Sequence, residues 1–133
     1  MNLLQVLHQR WLADETLNGL LPADRVFTGI SPDRTLPRAE ILKPSQRPLT
    51  LPGDGSAIDN AVVQFRVFHN RYDDGAEILQ QIKATFDRIA FNLEQQKKVF
   101  NMQPTRNTEK QHDDGVWEFT LDFDCTLYLP DGV

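Results

Sequence analysis

The chain has 133 residues, of which 14 are Lys or Arg, 19 are Asp or Glu and one is Cys. This size and composition are typical of one acidic globular domain, and a single Cys excludes an intrachain disulfide. The formal net charge of −5 disfavours tight binding to phosphate backbones, which depends on clustered Lys and Arg, so we expect no stable nucleic-acid binding.

The N-terminal sequence MNLLQVLHQRWLADE has no basic start, apolar run or small-residue cleavage site, the features of a secretory signal. No stretch of the sequence approaches the roughly 18 consecutive apolar residues of a membrane-spanning helix. We therefore expect synthesis in the cytoplasm and no membrane partner.

The first predicted element is a helix. Its apolar stripe consists of residues at spacings of three and four, namely Leu4, Leu7 and Trp11. Asn2 and Gln5 have the spacing of a capping box at its start. Gly19 and Pro22 predict that helical structure, including a short turn, ends by Leu21.

Two short strands and a long loop are predicted next. The strands span Arg25–Ile30 and Arg38–Lys43, and prolines flank the second strand on both sides. The segment Pro44–Asn60 holds three of the eight prolines and two of the seven glycines, which indicates a loop. Its length exceeds that of ordinary connections in compact domains.

A central strand and a long helix follow. Apolar and polar residues alternate over Ala61–His69, which predicts the strand. Asp74 and Glu77 have the spacing of a capping box at the start of the helix. The apolar stripe of this helix consists of Leu79, Ile82, Phe86, Ile89 and Leu93.

The last part of the chain is predicted to form a hairpin with arms at Val99–Gln103 and Val116–Leu129, joined by the polar loop Pro104–Gly115. The second arm alternates strictly between apolar and polar residues, so one of its faces is expected in the core and the other in water.

Together these elements predict a single α+β domain over residues 1–133. One-sided strands with hairpin connections favour a two-layer sandwich: a mainly antiparallel sheet of about four to five strands with two helices packed on one face.

The chemistry-bearing residues are scattered. The sequence contains no P-loop, GxGxxG, HExxH, CxxC or GxSxG motif. Two groups of residues could surround a divalent metal, His112 with Asp113 and Asp114, and His69 with Asp73 and Asp74. Both groups adjoin a glycine, and Asp side chains in such turns usually bond the local backbone. We expect no catalysis, metal or cofactor; a small metal-dependent hydrolase is the alternative that either group would support.

Cys125 and His8 are the other candidate reactive groups. Cys125 lies on the apolar face of the last strand, so we expect a buried and unreactive thiol. His8 lies on the polar side of the first helix and is expected to be solvated.

The polar face of the last strand carries three carboxylates, on Glu118, Asp122 and Asp124. They would repel one another unless cations intervene, and Arg66 on the preceding central strand is the expected partner. These four residues form our candidate interface or channel-lining surface; the alternative is a solvated face with ordinary cross-strand pairs.

The order of these signals resembles that of phage tail-terminator and tail-completion proteins. The similarity rests on LLPADRVFTGISP at 20–32, PRAEI at 37–41, FRVFHNRYDDGAE at 65–77 and WEFTLDF at 117–123. It therefore extends over most of the chain, whereas the loops 44–60 and 104–115 depart from it by their length.

The resemblance implies a structural virion or prophage protein that caps the tail tube as a ring, typically a hexamer, and joins the tail to the head. The implied partners are further copies of the chain, the tail tube protein and the head connector protein. The implied locations are the bacterial cytoplasm during assembly and then the virion tail. No catalytic residues come with the family, and a stand-alone dimeric protein-interaction module is the main alternative.

Overall fold

The computed structural model describes residues 1–132 and contains three helices and six strands. In chain order these are α1 (Leu3–Ala13), α2 (Glu15–Leu20), β1 (Val26–Thr28), β2 (Arg38–Thr50), β3 (Ala57–His69), α3 (Tyr72–Phe86), β4 (Phe91–Asn92), β5 (Lys98–Gln111) and β6 (Trp117–Leu129).

All six strands belong to one sheet of order β1-β2-β3-β6-β5-β4. Strand β1 is parallel to β2, and the other neighbours are antiparallel. The sheet curls into a half-barrel. The prediction of a two-layer sandwich with four to five mainly antiparallel strands and two helices is therefore wrong. The predicted strand Arg25–Ile30 is the three-residue edge strand β1, and the predicted short turn is the helix α2. The sixth strand, β4, has only two residues and is too short for sequence periodicity to reveal.

The segment Pro44–Asn60 is a hairpin instead of the predicted loop. Strand β2 continues to Thr50 and β3 begins at Ala57, so only six residues connect them. Strand β1 pairs only with residues Ala39 to Ile41 of β2. The rest of β2 has no neighbouring strand on that side. Proline is tolerated there because no partner strand needs the backbone amide that proline lacks.

The segment Pro104–Gly115 also belongs mostly to a strand, because β5 runs to Gln111. The hairpin closes at a short turn in which the His112 amide donates to the Val116 carbonyl at 2.8 Å. Strand β4 covers only Lys98 and Val99 of β5. The rest of β5 is largely exposed, so its sequence lacks the apolar alternation by which a strand is recognised.

Helix α3 starts earlier and ends earlier than predicted. Its N-cap is Arg71, and the expected capping box of Asp74 and Glu77 is absent. The chain leaves the helix after Phe86, and the Arg88 amide then donates to the Met102 carbonyl of β5 at 2.6 Å. Ile89 and Leu93 lie beyond the helix but still pack on the core. They therefore continue the apolar spacing of α3, and the sequence predicts a longer helix than the structure contains.

The core lies between the helices and the apolar face of the sheet. The predicted capping box of α1 is confirmed, with the Gln5 amide donating to Asn2 at 3.0 Å. The predicted apolar face of β6 is also confirmed, since its core residues are buried together with Ile82 and Phe86 of α3. The ring of Phe65 lies at the centre, 4.9 Å from the ring of Phe86.

Candidate functional site

The candidate interface residues lie on the face of the sheet that points away from the core cluster. This polar sheet face is formed by alternate residues of β3 and β6, and Arg66, Glu118, Asp122 and Asp124 are all half-buried there. The register places Arg66 opposite Thr120 and Gln64 opposite Asp122. On the other side of β6, Arg106 of β5 lies opposite Asp122.

Arg66 reaches the carboxylates through another residue. Its Nε donates to Oε1 of Gln64 at 2.7 Å, and Nε2 of Gln64 donates to Oδ1 of Asp122 at 3.0 Å. The direct pairing of Arg66 with the acidic residues is therefore absent from the ion pairs of residues 1–132. Gln64 sits between the two charged groups because all three residues lie on one face in adjacent register positions.

Glu118 has a partner that the sequence did not indicate. Nε2 of His112, from the β5–β6 turn, lies 2.8 Å from Oε1 of Glu118. Asp124 lies one position beyond Asp122 on the same face of β6, where its neighbours are Val62 of β3 and Gln103 of β5. The three carboxylates therefore occupy different surroundings and do not act as one acidic cluster.

The two candidate metal groups are not assembled. Within the part of the chain that the structure describes, no three His, Cys, Asp or Glu side chains are arranged to hold a metal ion. His112 is engaged with Glu118, and Nδ1 of His69 accepts the Arg71 amide at 3.0 Å. Burial lowers the pKa of His69, which favours the neutral ring that this hydrogen bond requires.

Cys125 is buried, as predicted, and burial raises the pKa of its thiol to about 12. The expectation for His8 is wrong. Its Nε2 lies 2.8 Å from the Ala23 carbonyl and 3.0 Å from the Val26 carbonyl, so the ring ties α1 to the start of β1.

None of the helices within residues 1–132 has the length and apolar character needed to cross a bilayer.

No protein-family model matches this sequence. No curated protein matches it either. The fold is similar to that of a chain in a solved structure described as "Virion of native gene transfer agent (GTA) particle", with a TM-score of 0.72. That similarity covers 95% of this chain and 94% of the other chain at 11% sequence identity, so what the two chains share is the fold.

Proposed function

We propose that this chain is a structural subunit of a phage-like virion, and that it caps the tail tube as a ring of identical copies that also contacts the head connector. The observation that carries the proposal is the fold similarity to a chain of a gene transfer agent virion over nearly the full length of both chains. The resemblance of the sequence segments to tail-terminator proteins supports the position at the end of the tube.

The proposed subunit does no catalysis and holds no resident metal or cofactor. Its candidate reactive groups have structural contacts instead: Nδ1 of His69 accepts a backbone amide, His112 lies against a carboxylate, and Cys125 is in the core. A subunit that works by assembly needs shape and contact surfaces, not an activated nucleophile.

In this proposal the polar sheet face lines the channel of the ring. Asp122 and Asp124 lie on it, and the chain as a whole carries a formal net charge of −5. Negative potential repels phosphates, so DNA would pass without being held. The long hairpins β2–β3 and β5–β6 supply exposed surface for neighbouring copies and for tube proteins.

The experiment is to purify the chain, measure its mass by native mass spectrometry, and image it by negative-stain microscopy alone and mixed with tail tube protein from the same genome. A closed ring of identical copies that binds one end of the tube supports the proposal. A dimer that ignores the tube would favour an interaction module, and stoichiometric bound metal would favour a hydrolase.

The channel-lining role has its own test. The double variant Asp122→Lys with Asp124→Lys should bind duplex DNA more tightly in the assembled ring, and the gain should disappear as salt rises. The matched control is Asp24→Lys with Glu77→Lys, which makes the same change of charge at exposed positions away from the sheet face. Equal DNA affinity of the two double variants would place the polar sheet face outside the channel.

A further inference from the structure

The first residue of β2 is a buried cation without a carboxylate partner. Arg38 is only 5% exposed, and the Cζ atom of its guanidinium lies 4.1 Å from the ring centre of Phe68. Its Nη1 donates to the Arg34 carbonyl at 3.2 Å, while its Nε is buried without a hydrogen-bond partner among residues 1–132. None of the ion pairs in that range includes Arg38.

A buried, incompletely bonded guanidinium is costly, because it has lost water and gained little in return. Burial accordingly lowers the pKa of Arg38, and the nearby negative charge of Glu40 offsets only part of this lowering. A buried donor without a partner in a folded protein calls for an explanation, such as a bound water, an ion or another ligand.

Arg38 lines a cavity of about 610 Å³ at the end of the sheet. One wall is the segment between β1 and β2, with Arg34 and Leu36, and the opposite wall is the β5–β6 turn with Val116. Arg66 and Phe68 of β3 lie between the two walls. The cavity thus combines three arginines with apolar side chains.

The acidic side chains of the cavity already have hydrogen-bond partners within the protein. Oε2 of Glu40 accepts the Ser31 amide at 2.8 Å, Oδ1 of Asp114 accepts the Val116 amide at 3.1 Å, and Glu118 contacts His112. The carboxylates of the cavity therefore have partners of their own, whereas neither Arg34 nor Arg38 takes part in an ion pair among residues 1–132.

The charges of the cavity favour a ligand with one negative charge over a ligand with two. Three arginines and three acidic residues line the cavity, so their formal charges cancel. A phosphate dianion would add two negative charges beside carboxylates that repel it, whereas a carboxylate adds one. Apolar wall residues favour a carboxylate on a short hydrocarbon stem.

We propose that this cavity binds a carboxylate group, with the arginines at positions 34 and 38 holding the carboxylate and Leu36 and Phe68 contacting its stem. The carboxylate belongs either to a small free acid or to an acidic side chain of an adjoining protein segment. The proposal does not depend on the virion role.

The test is calorimetric titration of the full chain with butyrate, acetate and inorganic phosphate at constant ionic strength. We expect saturable binding of butyrate with a Kd of about 1 mM or tighter, and weaker binding of acetate and phosphate. Arg38→Met and Arg34→Gln should each weaken butyrate binding about tenfold or more. Arg106→Gln is the control, because Arg106 lies on β5 outside this cavity, and it should bind butyrate as the unchanged chain does.

Arg34 is exposed, so Arg34→Gln keeps the test decisive if Arg38→Met does not fold. At a concentration ten times its Kd, butyrate should raise the Tm of the unchanged chain by about 5 °C and leave that of Arg34→Gln nearly constant.

Two capped peptides, Ac-Ala-Glu-Ala-NH2 and Ac-Ala-Gln-Ala-NH2, distinguish the source of the carboxylate. Tighter binding of the Glu peptide than of butyrate assigns the cavity to an adjoining chain, and tighter binding of butyrate assigns it to a free acid. The proposal is overturned if neither carboxylate binds, if phosphate binds more tightly than both, or if the Arg34 and Arg38 variants bind like the Arg106 control.

Discussion

Gly75 lies in α3 against the ring of Phe119, and this contact makes Gly75→Ala a sharp test of the core. A Cβ atom at position 75 would lie 3.0 Å from Cδ2 and 3.1 Å from Cζ of that ring, and closer still to Cε2. Phe119 is fully buried and cannot swing into solvent. The helix or the ring must therefore shift to admit one methyl group.

Two opposing effects set the size of the change in the free energy of unfolding. Replacing Gly by Ala inside a helix stabilises it by about 1 kcal/mol. Overpacking a filled core costs about 1–3 kcal/mol, and overlap with three atoms of a buried ring favours the upper part of this range. We therefore expect a net loss of about 2 kcal/mol, or a fall in Tm of about 8 °C.

Gly19→Ala is the matched control, because Gly19 lies in α2 and a Cβ atom there would meet no heavy atom within 4 Å. Urea titration measures the free energy of unfolding of both variants, and Gly19→Ala should raise it by up to about 1 kcal/mol. Introducing Gly75→Ala into Phe119→Leu should cost much less than in the unchanged chain. If Gly75→Ala alone is as stable as the unchanged chain, the packing of α3 on β6 described above is incorrect.

Three further predictions concern single side chains. Trp11→Phe should lower the free energy of unfolding by about 1–3 kcal/mol in urea titration, because the buried Leu21 carbonyl loses the indole donor that now lies at 2.8 Å; no loss would contradict that bond. Burial lowers the pKa of His69, so stability should fall as pH drops below the ordinary value of about 6.5, and His69→Gln should flatten this part of the pH profile in thermal melts. The Cys125 thiol, with its pKa raised to about 12, should resist iodoacetamide at pH 8 until urea unfolds the chain, and rapid labelling of the folded chain would refute its burial.

The sequence predicts the elements that pack on the core better than it predicts the strands at the edges of the sheet. The alternation in β6 and the stripe of α1 were readable because one side of each element faces the core. The outer strands lack this alternation over most of their length, so the sequence predicts only the segments Arg25–Ile30, Arg38–Lys43 and Val99–Gln103 there. Pro44 and Pro48 looked like loop residues, yet an edge strand tolerates them, and the exposed part of β5 has no apolar face to display.

The candidate site was predictable as a surface but not in its contacts. Alternation alone places Arg66, Asp122 and Asp124 on one face. Their partners depend on the register between strands that are distant in sequence, so the bridging role of Gln64 could not be inferred. The buried state of Arg38 was equally hidden, because it arises where the segment before β2 folds over the end of the sheet.

The most direct test of the proposed virion role is cryo-electron microscopy of phage-like particles released by cells that carry this gene. The account predicts density that fits this fold, repeated around the tail axis as one closed ring between the tube and the head. Particles with complete tails that lack this chain, or that carry it at any other position, would contradict the account.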